Sequence, residues 1–128
     1  MTAKAAVMST AAKAINSEQD LNDPNVVKVV FAQNGRALYF SRSAIPFARD
    51  KRVASAWHHI GIYAYRCGFL KDYQTLKSSP IEQTESLEQL RVLDNGYDIM
   101  VEPIDYDTGI GVDTPADLQK VKALFDNC

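Results

Sequence analysis

Asn34-Gly35 stands between two runs of strand-forming residues, Val26 to Ala32 and Arg36 to Arg42, the second holding Leu38, Tyr39 and Phe40. An Asn-Gly pair best tolerates the positive φ angles of a tight turn, so the two runs are predicted to fold back as a β-hairpin. Any fold for this chain must therefore contain an antiparallel pair and something to cover its apolar side. With 128 residues there is room for one real core and not for two.

The segments around the hairpin read as alternating strands and helices. Residues 1–25 are alanine-rich and then polar, a leading strand or helix remnant that closes on the turn Asn22-Asp23-Pro24-Asn25. Residues 43–56 carry Pro46 and a run of charges and read as an exposed connection. His58 to Tyr65 is a third strand, and its alternation is informative. Ile60, Ile62 and Ala64 fall on one face; His59, Gly61, Tyr63 and Tyr65 fall on the other. The first set suits a core. The second gathers an imidazole and two phenols on one surface, with Gly61 leaving room for an approach. His58 points the other way.

Phe69 to Leu76 is predicted as a short helix. Ser79-Pro80-Ile81-Glu82 is a strong helix start, with Ser as cap, Pro at the first position and Glu three residues after the cap. That helix is expected to run to about Asp94 and stop at Asn95-Gly96, burying Leu87, Leu90 and Leu93. Glu85 and Glu88 share another side of it. Tyr97 to Val101 is a further strand, and Asp105 to Gly111 a polar loop. Thr114 and Pro115 then start a last helix with Leu118, Val121, Leu124 and Phe125 as its apolar face. Strands interleaved with helices predict a mixed α/β layer structure.

Composition excludes several classes. A formal net charge of -2 offers no basic field for nucleic acid and no polybasic membrane anchor. No apolar stretch is long enough to span a bilayer, and Met1 to Ala14 lacks the continuous apolar segment of a secretory signal. Cys67 and Cys128 are too few for a disulfide framework or a metal knuckle, and Cys67 reads as a buried structural thiol. A reduced, cytoplasmic protein is the expectation.

Four segments, taken in order, carry a resemblance: Ala37-Leu-Tyr-Phe-Ser-Arg-Ser-Ala-Ile-Pro46, His59-Ile-Gly-Ile-Tyr-Ala-Tyr65, Leu87-Glu-Gln-Leu-Arg-Val-Leu93 and Gly111-Val-Asp-Thr-Pro115. Together the chain resembles the 3-deoxy-D-manno-octulosonate cytidylyltransferase (CMP-Kdo synthetase) family over nearly all of residues 5–125. The resemblance implies a Rossmann-like nucleotide-diphospho-sugar transferase fold, of which this would be the C-terminal half: a mixed sheet with flanking helices and a β-hairpin. Residues 1–25 would be the leading remnant of that domain, and 26–128 its sugar-binding and dimerisation half. The implied reaction joins the sugar acid Kdo to CMP from CTP, releasing pyrophosphate, for lipopolysaccharide synthesis. The family's nucleotide loop, Pro-Ala-Arg…Arg-Leu-Pro-Gly-Lys-Pro, and its Gly-Asp-Glu-Pro metal segment have no counterpart in these residues. The chain by itself is therefore expected to be inactive.

The resemblance also assigns roles. Asp113 matches a Mg²⁺ ligand, although on pattern alone it reads more readily as a carboxylate favouring the next helix's dipole, worth about 0.5 kcal/mol. Its single carboxylate is a poor Mg²⁺ site. His59 and Tyr63 match contacts to the sugar acid; by pattern they are a half-buried pair packed under a helix. Arg42 matches an arginine for the sugar's carboxylate, which suits a guanidinium fork, but it also reads as a surface arginine. Glu88 and Gln89 match contacts to sugar hydroxyls, or else form a solvated helix face with Glu88 pairing Arg91. Implied partners are Kdo, CTP and a second copy in a homodimer. A sialic-acid cytidylyltransferase and a non-catalytic binding or assembly module are the competing readings.

Overall fold

The computed structural model describes residues 6–50 and 56–104. In chain order they form β1 (Ala6–Ala14), α1 (Glu18–Leu21), β2 (Lys28–Phe31), β3 (Ala37–Ser41), β4 (Trp57–Tyr65), α2 (Phe69–Tyr73), α3 (Pro80–Glu85), α4 (Gln89–Asp94) and β5 (Asp98–Ile104). The predicted last helix and Asp113 lie outside the described residues.

The strands make one five-stranded mixed sheet in the order β3-β2-β4-β1-β5. Strand β1 runs antiparallel to β4 and parallel to β5, so both of its edges are hydrogen-bonded. Ser9, Thr10, Ala11 and Ala12 are consecutive and fully buried. Successive strand residues point to opposite faces, so β1 is covered on both, and only small side chains stand there. Of the two readings open for the leading segment, the strand is the one that forms.

The hairpin forms with a turn that differs in detail from the expected one. Only Gly35 adopts a positive φ, +95°. Gly35 N–H donates to Ala32 C=O (2.8 Å) and Ala32 N–H to Arg36 C=O (2.8 Å), and the β2–β3 register slips between Val30 and Phe31. This is the longer loop with a glycine bulge, not a two-residue turn with both φ angles positive. The turn then docks on the far edge of the sheet: Gly35 C=O accepts from Val101 N–H (2.7 Å) and Arg36 bridges Met100. The sheet thus curls until the β2–β3 turn meets β5.

The single helix expected from Pro80 to Asp94 is broken. Its start is as predicted: the Ser79 side chain accepts from Glu82 N–H, and the Glu82 side chain reaches back to the Ser79 N–H. At Ser86 the backbone turns left-handed (φ 56°, ψ 47°), and Leu87 N–H bonds back to Glu82 C=O (3.2 Å). Arg42 holds the freed end, donating to the carbonyls of Glu85 (2.9 Å) and Ser86 (3.3 Å). Leu87, Leu90 and Val92 are buried, while Leu93 is half-buried. Arg91 pairs with Glu82 (2.7 Å) and not with Glu88, because the break turns the two short helices against each other. Cys67 is exposed after β4 rather than buried, and it is not a free thiol.

Gly35 tests the docking of the turn. A Cβ there would meet the Met100 methyl at 3.1 Å and Val101 O at 3.4 Å, whereas at Gly96, with φ +92°, it would meet nothing within 4 Å. Both Gly→Ala changes carry the left-handed backbone penalty of about 1 kcal/mol. Gly35→Ala is expected to lower the urea midpoint further than Gly96→Ala; equal midpoints would remove the contact with β5 as a constraint.

Candidate functional site

The face of β4 that carries His59, Tyr63 and Tyr65 depends on an irregularity. Thr10 of β1 faces Tyr63, but its neighbour Ala11 faces Ile60, so β4 bulges at Gly61 and Ile62. Two residues are looped out, which returns the alternation to its original side. The three aromatic side chains therefore stay together, with ring centroids 5.5 Å apart for His59–Tyr63 and 6.2 Å for Tyr63–Tyr65.

The Thr10 hydroxyl plugs the bulge. It lies 2.7 Å from Ile62 O, 3.0 Å from Ile60 O and 3.0 Å from His59 Nε2. A hydroxyl has one proton to give, and the shortest contact takes it at Ile62 O. His59 Nε2–H then donates to Thr10, leaving Nδ1 as an acceptor for the Gln89 amide at 3.5 Å. Phe40 packs edge-on to the imidazole at 4.9 Å. Burial, reinforced by His58, holds the pKa of His59 down to about 4, so the ring is neutral at physiological pH. His59 is 7% exposed and stands behind the surface, presenting Tyr63 and Gln89 rather than itself.

In front of it lies a cleft of about 170 Å³ lined by Tyr63, Tyr65, Tyr73, Glu88 and Gln89 with the apolar Met8 and Val92. Gln89 is 8% exposed and Glu88 is exposed. The break at Ser86 sends α4 off in a new direction and sets Glu88 and Gln89 beside β4. The Tyr73 hydroxyl donates to the Glu88 carboxylate. Burial first, and then that carboxylate, keeps the Tyr73 phenol protonated well above its ordinary range. Burial does the same for Tyr63 and Tyr65. The cleft thus offers phenols, a carboxylate and an amide on an apolar base, a set that exchanges hydrogen bonds with hydroxyl groups.

Of the residues singled out in the sequence, the fold brings His59, Tyr63, Glu88 and Gln89 together. Arg42 follows β3, and its guanidinium donates to the carbonyls of Pro24 (3.0 Å), Glu85 (2.9 Å) and Ser86 (3.3 Å). These bonds use Nε–H and one N–H of each terminal nitrogen. Tyr65 was visible on the predicted face without a role. Tyr73 was missed, since a tyrosine in a short polar helix carries no signal of the partner it meets. Among the described residues no three His, Cys, Asp or Glu side chains gather as a metal site. A larger cleft of about 410 Å³, between the β2–β3 turn and β5, contains none of the predicted site residues.

A family model described as Cytidylyltransferase matches residues 1–99. The chain is similar to the 3-deoxy-manno-octulosonate cytidylyltransferase of Francisella philomiragia, 52% identical over 127 residues, covering 94% of this chain and 51% of that protein. The same-named protein of an Acidovorax species is 48% identical over 135 residues, covering 94% of this chain and 52% of the relative. A solved structure of CMP:2-keto-3-deoxy-manno-octonic acid synthetase complexed with CTP superposes with a TM-score of 0.75 at 45% identity, over 94% of this chain and 49% of that one. The chain spans about half the length of the proteins it matches.

The buried neutral imidazole has a consequence for stability. In the unfolded chain His59 titrates near its ordinary value, so between about pH 6.5 and about pH 4 the unfolded state binds the extra proton. The contribution is complete above that window and is lost as pH falls through it, by roughly 3 kcal/mol. Urea denaturation from pH 7 to pH 4 is expected to show this loss in the wild type and a flatter profile in His59→Gln. Identical pH profiles for the two would refute the buried neutral state.

Proposed function

Since the chain belongs to the cytidylyltransferase family, we propose that it is the sugar-acid half of a CMP-Kdo synthetase, which joins Kdo to CMP from CTP with release of pyrophosphate, in the cytoplasm, for lipopolysaccharide synthesis. The observation that carries this reading is the cleft of Tyr63, Tyr65, Tyr73, Glu88 and Gln89 backed by neutral His59. A polyol is recognised by groups that give and take hydrogen bonds, and these residues are such a set. His59 acts from behind by fixing Gln89 and Tyr63. Arg42 is proposed for the sugar's carboxylate, with one N–H remaining on each terminal nitrogen among the described residues.

The reaction is attack of a sugar hydroxyl on the α-phosphorus of CTP, which depends on alignment and charge neutralisation more than on covalent help. Holding the sugar acid in one orientation is the part these residues perform. Asp113 is proposed as one carboxylate for Mg²⁺; when bound, the ion supplies charge neutralisation at the phosphates. The described residues provide no self-sufficient seat for it. Orienting CTP falls to the nucleotide loop that the family resemblance implies elsewhere, so we propose no turnover from this chain alone. For the homodimer, the outer strand β3 is the proposed surface, supported by Leu38 at 51% exposure.

Titration of the chain with Kdo, followed by ¹H–¹⁵N spectra, tests the reading. Saturable binding is expected, with the largest shifts at Tyr63, Tyr65 and Gln89, and with sialic acid binding more weakly. Tyr63→Phe removes one hydrogen bond, about 1 kcal/mol or roughly fivefold in affinity. CTP-dependent pyrophosphate release is expected only after the complementary half of a relative is added. A dimer that ignores Kdo would favour the assembly module; stronger binding of sialic acid would move the assignment to that substrate.

A further inference from the structure

The Glu85 carboxylate binds three groups from one strand end. Its Oε2 accepts from the Ser41 hydroxyl (2.6 Å) and the Tyr39 hydroxyl (3.3 Å), and its Oε1 from the Arg42 backbone N–H (3.0 Å). The same residue's carbonyl accepts from Arg42 Nε (2.9 Å), while Arg42 also reaches Ser86 O and Pro24 O. The last residue of α3 thus grips the end of β3 through its side chain, and the end of β3 grips α3 through the Arg42 side chain. The contact is reciprocal, and the two residues are 43 positions apart in the chain.

Charge reinforces the knot. Lys28, fully buried on β2, donates to Asp23 O (2.9 Å) and is attracted by the Glu85 carboxylate. Burial alone would raise the pKa of Glu85, but the bonds from Arg42, Ser41 and Tyr39, with the Arg42 charge, lower it overall. Glu85 is therefore ionised wherever the protein is folded near neutral pH. An ionised carboxylate with three donors is a rigid acceptor. It sits at the one point where two consequences meet: the orientation of Arg42, and the left-handed turn at Ser86 that starts Glu88 and Gln89 toward the cleft.

From this geometry we infer that Glu85 is a positioning residue of the sugar-acid site, presetting Arg42 for the ligand's carboxylate. The inference rests on the reading of that site given under Proposed function. Glu85 touches no ligand; its carboxylate fixes the Arg42 backbone N–H and the Ser41 and Tyr39 hydroxyls, holding the end of β3 against the end of α3, where the Arg42 guanidinium reaches the carbonyls of Glu85, Ser86 and Pro24 and keeps its remaining pair of N–H groups in a single orientation. Without it, Arg42 has to be ordered by the ligand, and that ordering cost appears as lost affinity.

The test compares the 128-residue chain with Glu85→Ala, Arg42→Ala and the double variant, titrated with Kdo and with its carboxamide. Glu85→Ala is expected to weaken Kdo binding about tenfold and carboxamide binding less than twofold. In the Arg42→Ala background the Glu85 change is expected to add nothing, as two residues acting as one unit require. Equal loss for acid and amide, or additive losses, would overturn the inference in favour of general loosening. The Arg42 Nε–H resonance supplies a ligand-free readout: protected from exchange in the wild type, and fast-exchanging in Glu85→Ala. Should the wild type bind no Kdo, the sugar-acid reading fails by itself. An unchanged Nε–H signal in Glu85→Ala would sink the positioning role whatever the ligand.

Discussion

Strand β1 is hydrogen-bonded on both edges and covered on both faces, and the described residues are organised around that constraint. A strand so enclosed has to be built from small side chains, which is why Ser9, Thr10, Ala11 and Ala12 occupy its centre. Thr10 does more than fill space. Its hydroxyl caps the carbonyls exposed where β4 bulges and receives the His59 ring. The bulge loops out two residues rather than one, so the aromatic face of β4 stays continuous across it. Cleft geometry is thus inherited from the pairing of β1, which also supplies Met8 to the apolar base of the cleft.

Polar satisfaction explains why this arrangement holds still. Among the described residues no buried side-chain nitrogen or oxygen lacks a hydrogen-bond partner. Two hydrogen-bond chains end on backbone carbonyls: the buried Gln89 to His59 to Thr10 to Ile62, and the half-buried Arg42 to Glu85, Ser86 and Pro24. Leaving one such group unpaired costs more than its bond contributes when made, so each chain resists being opened at any single point. The residues that face the cleft, Tyr63, Tyr65, Tyr73 and Glu88, stand in front of these chains.

Legibility followed the range of the forces involved. The hairpin was readable because Asn34-Gly35 and its flanking strands are one local unit, and the helix start because a capping box is complete within Ser79 to Glu82. The shared face of His59, Tyr63 and Tyr65 was readable from period two, and survives only because the bulge preserves it. Residues 6–14 were ambiguous, since alanine favours helix locally and only the two flanking strands make it extended. The break at Ser86 was invisible because nothing in Leu87 to Leu93 departs from a helical pattern. The end of α3 turns left-handed at Ser86 and is held there by the side chain of Arg42, distant in the chain.

The amino-acid sequence alone determined the elements whose stabilising contacts lie within a few residues and the family to which its ordered motifs belong, and the resemblance singled out His59, Tyr63, Glu88 and Gln89, which the fold gathers in and behind one cleft. Tertiary structure decided the rest: that β1 is central, that the hairpin turn closes onto β5, that Tyr73 meets Glu88, and that Arg42 and Glu85 lock two distant segments. The physical reason is the same in each case. These contacts join groups far apart in the chain, and their geometry exists only once the sheet between them has formed.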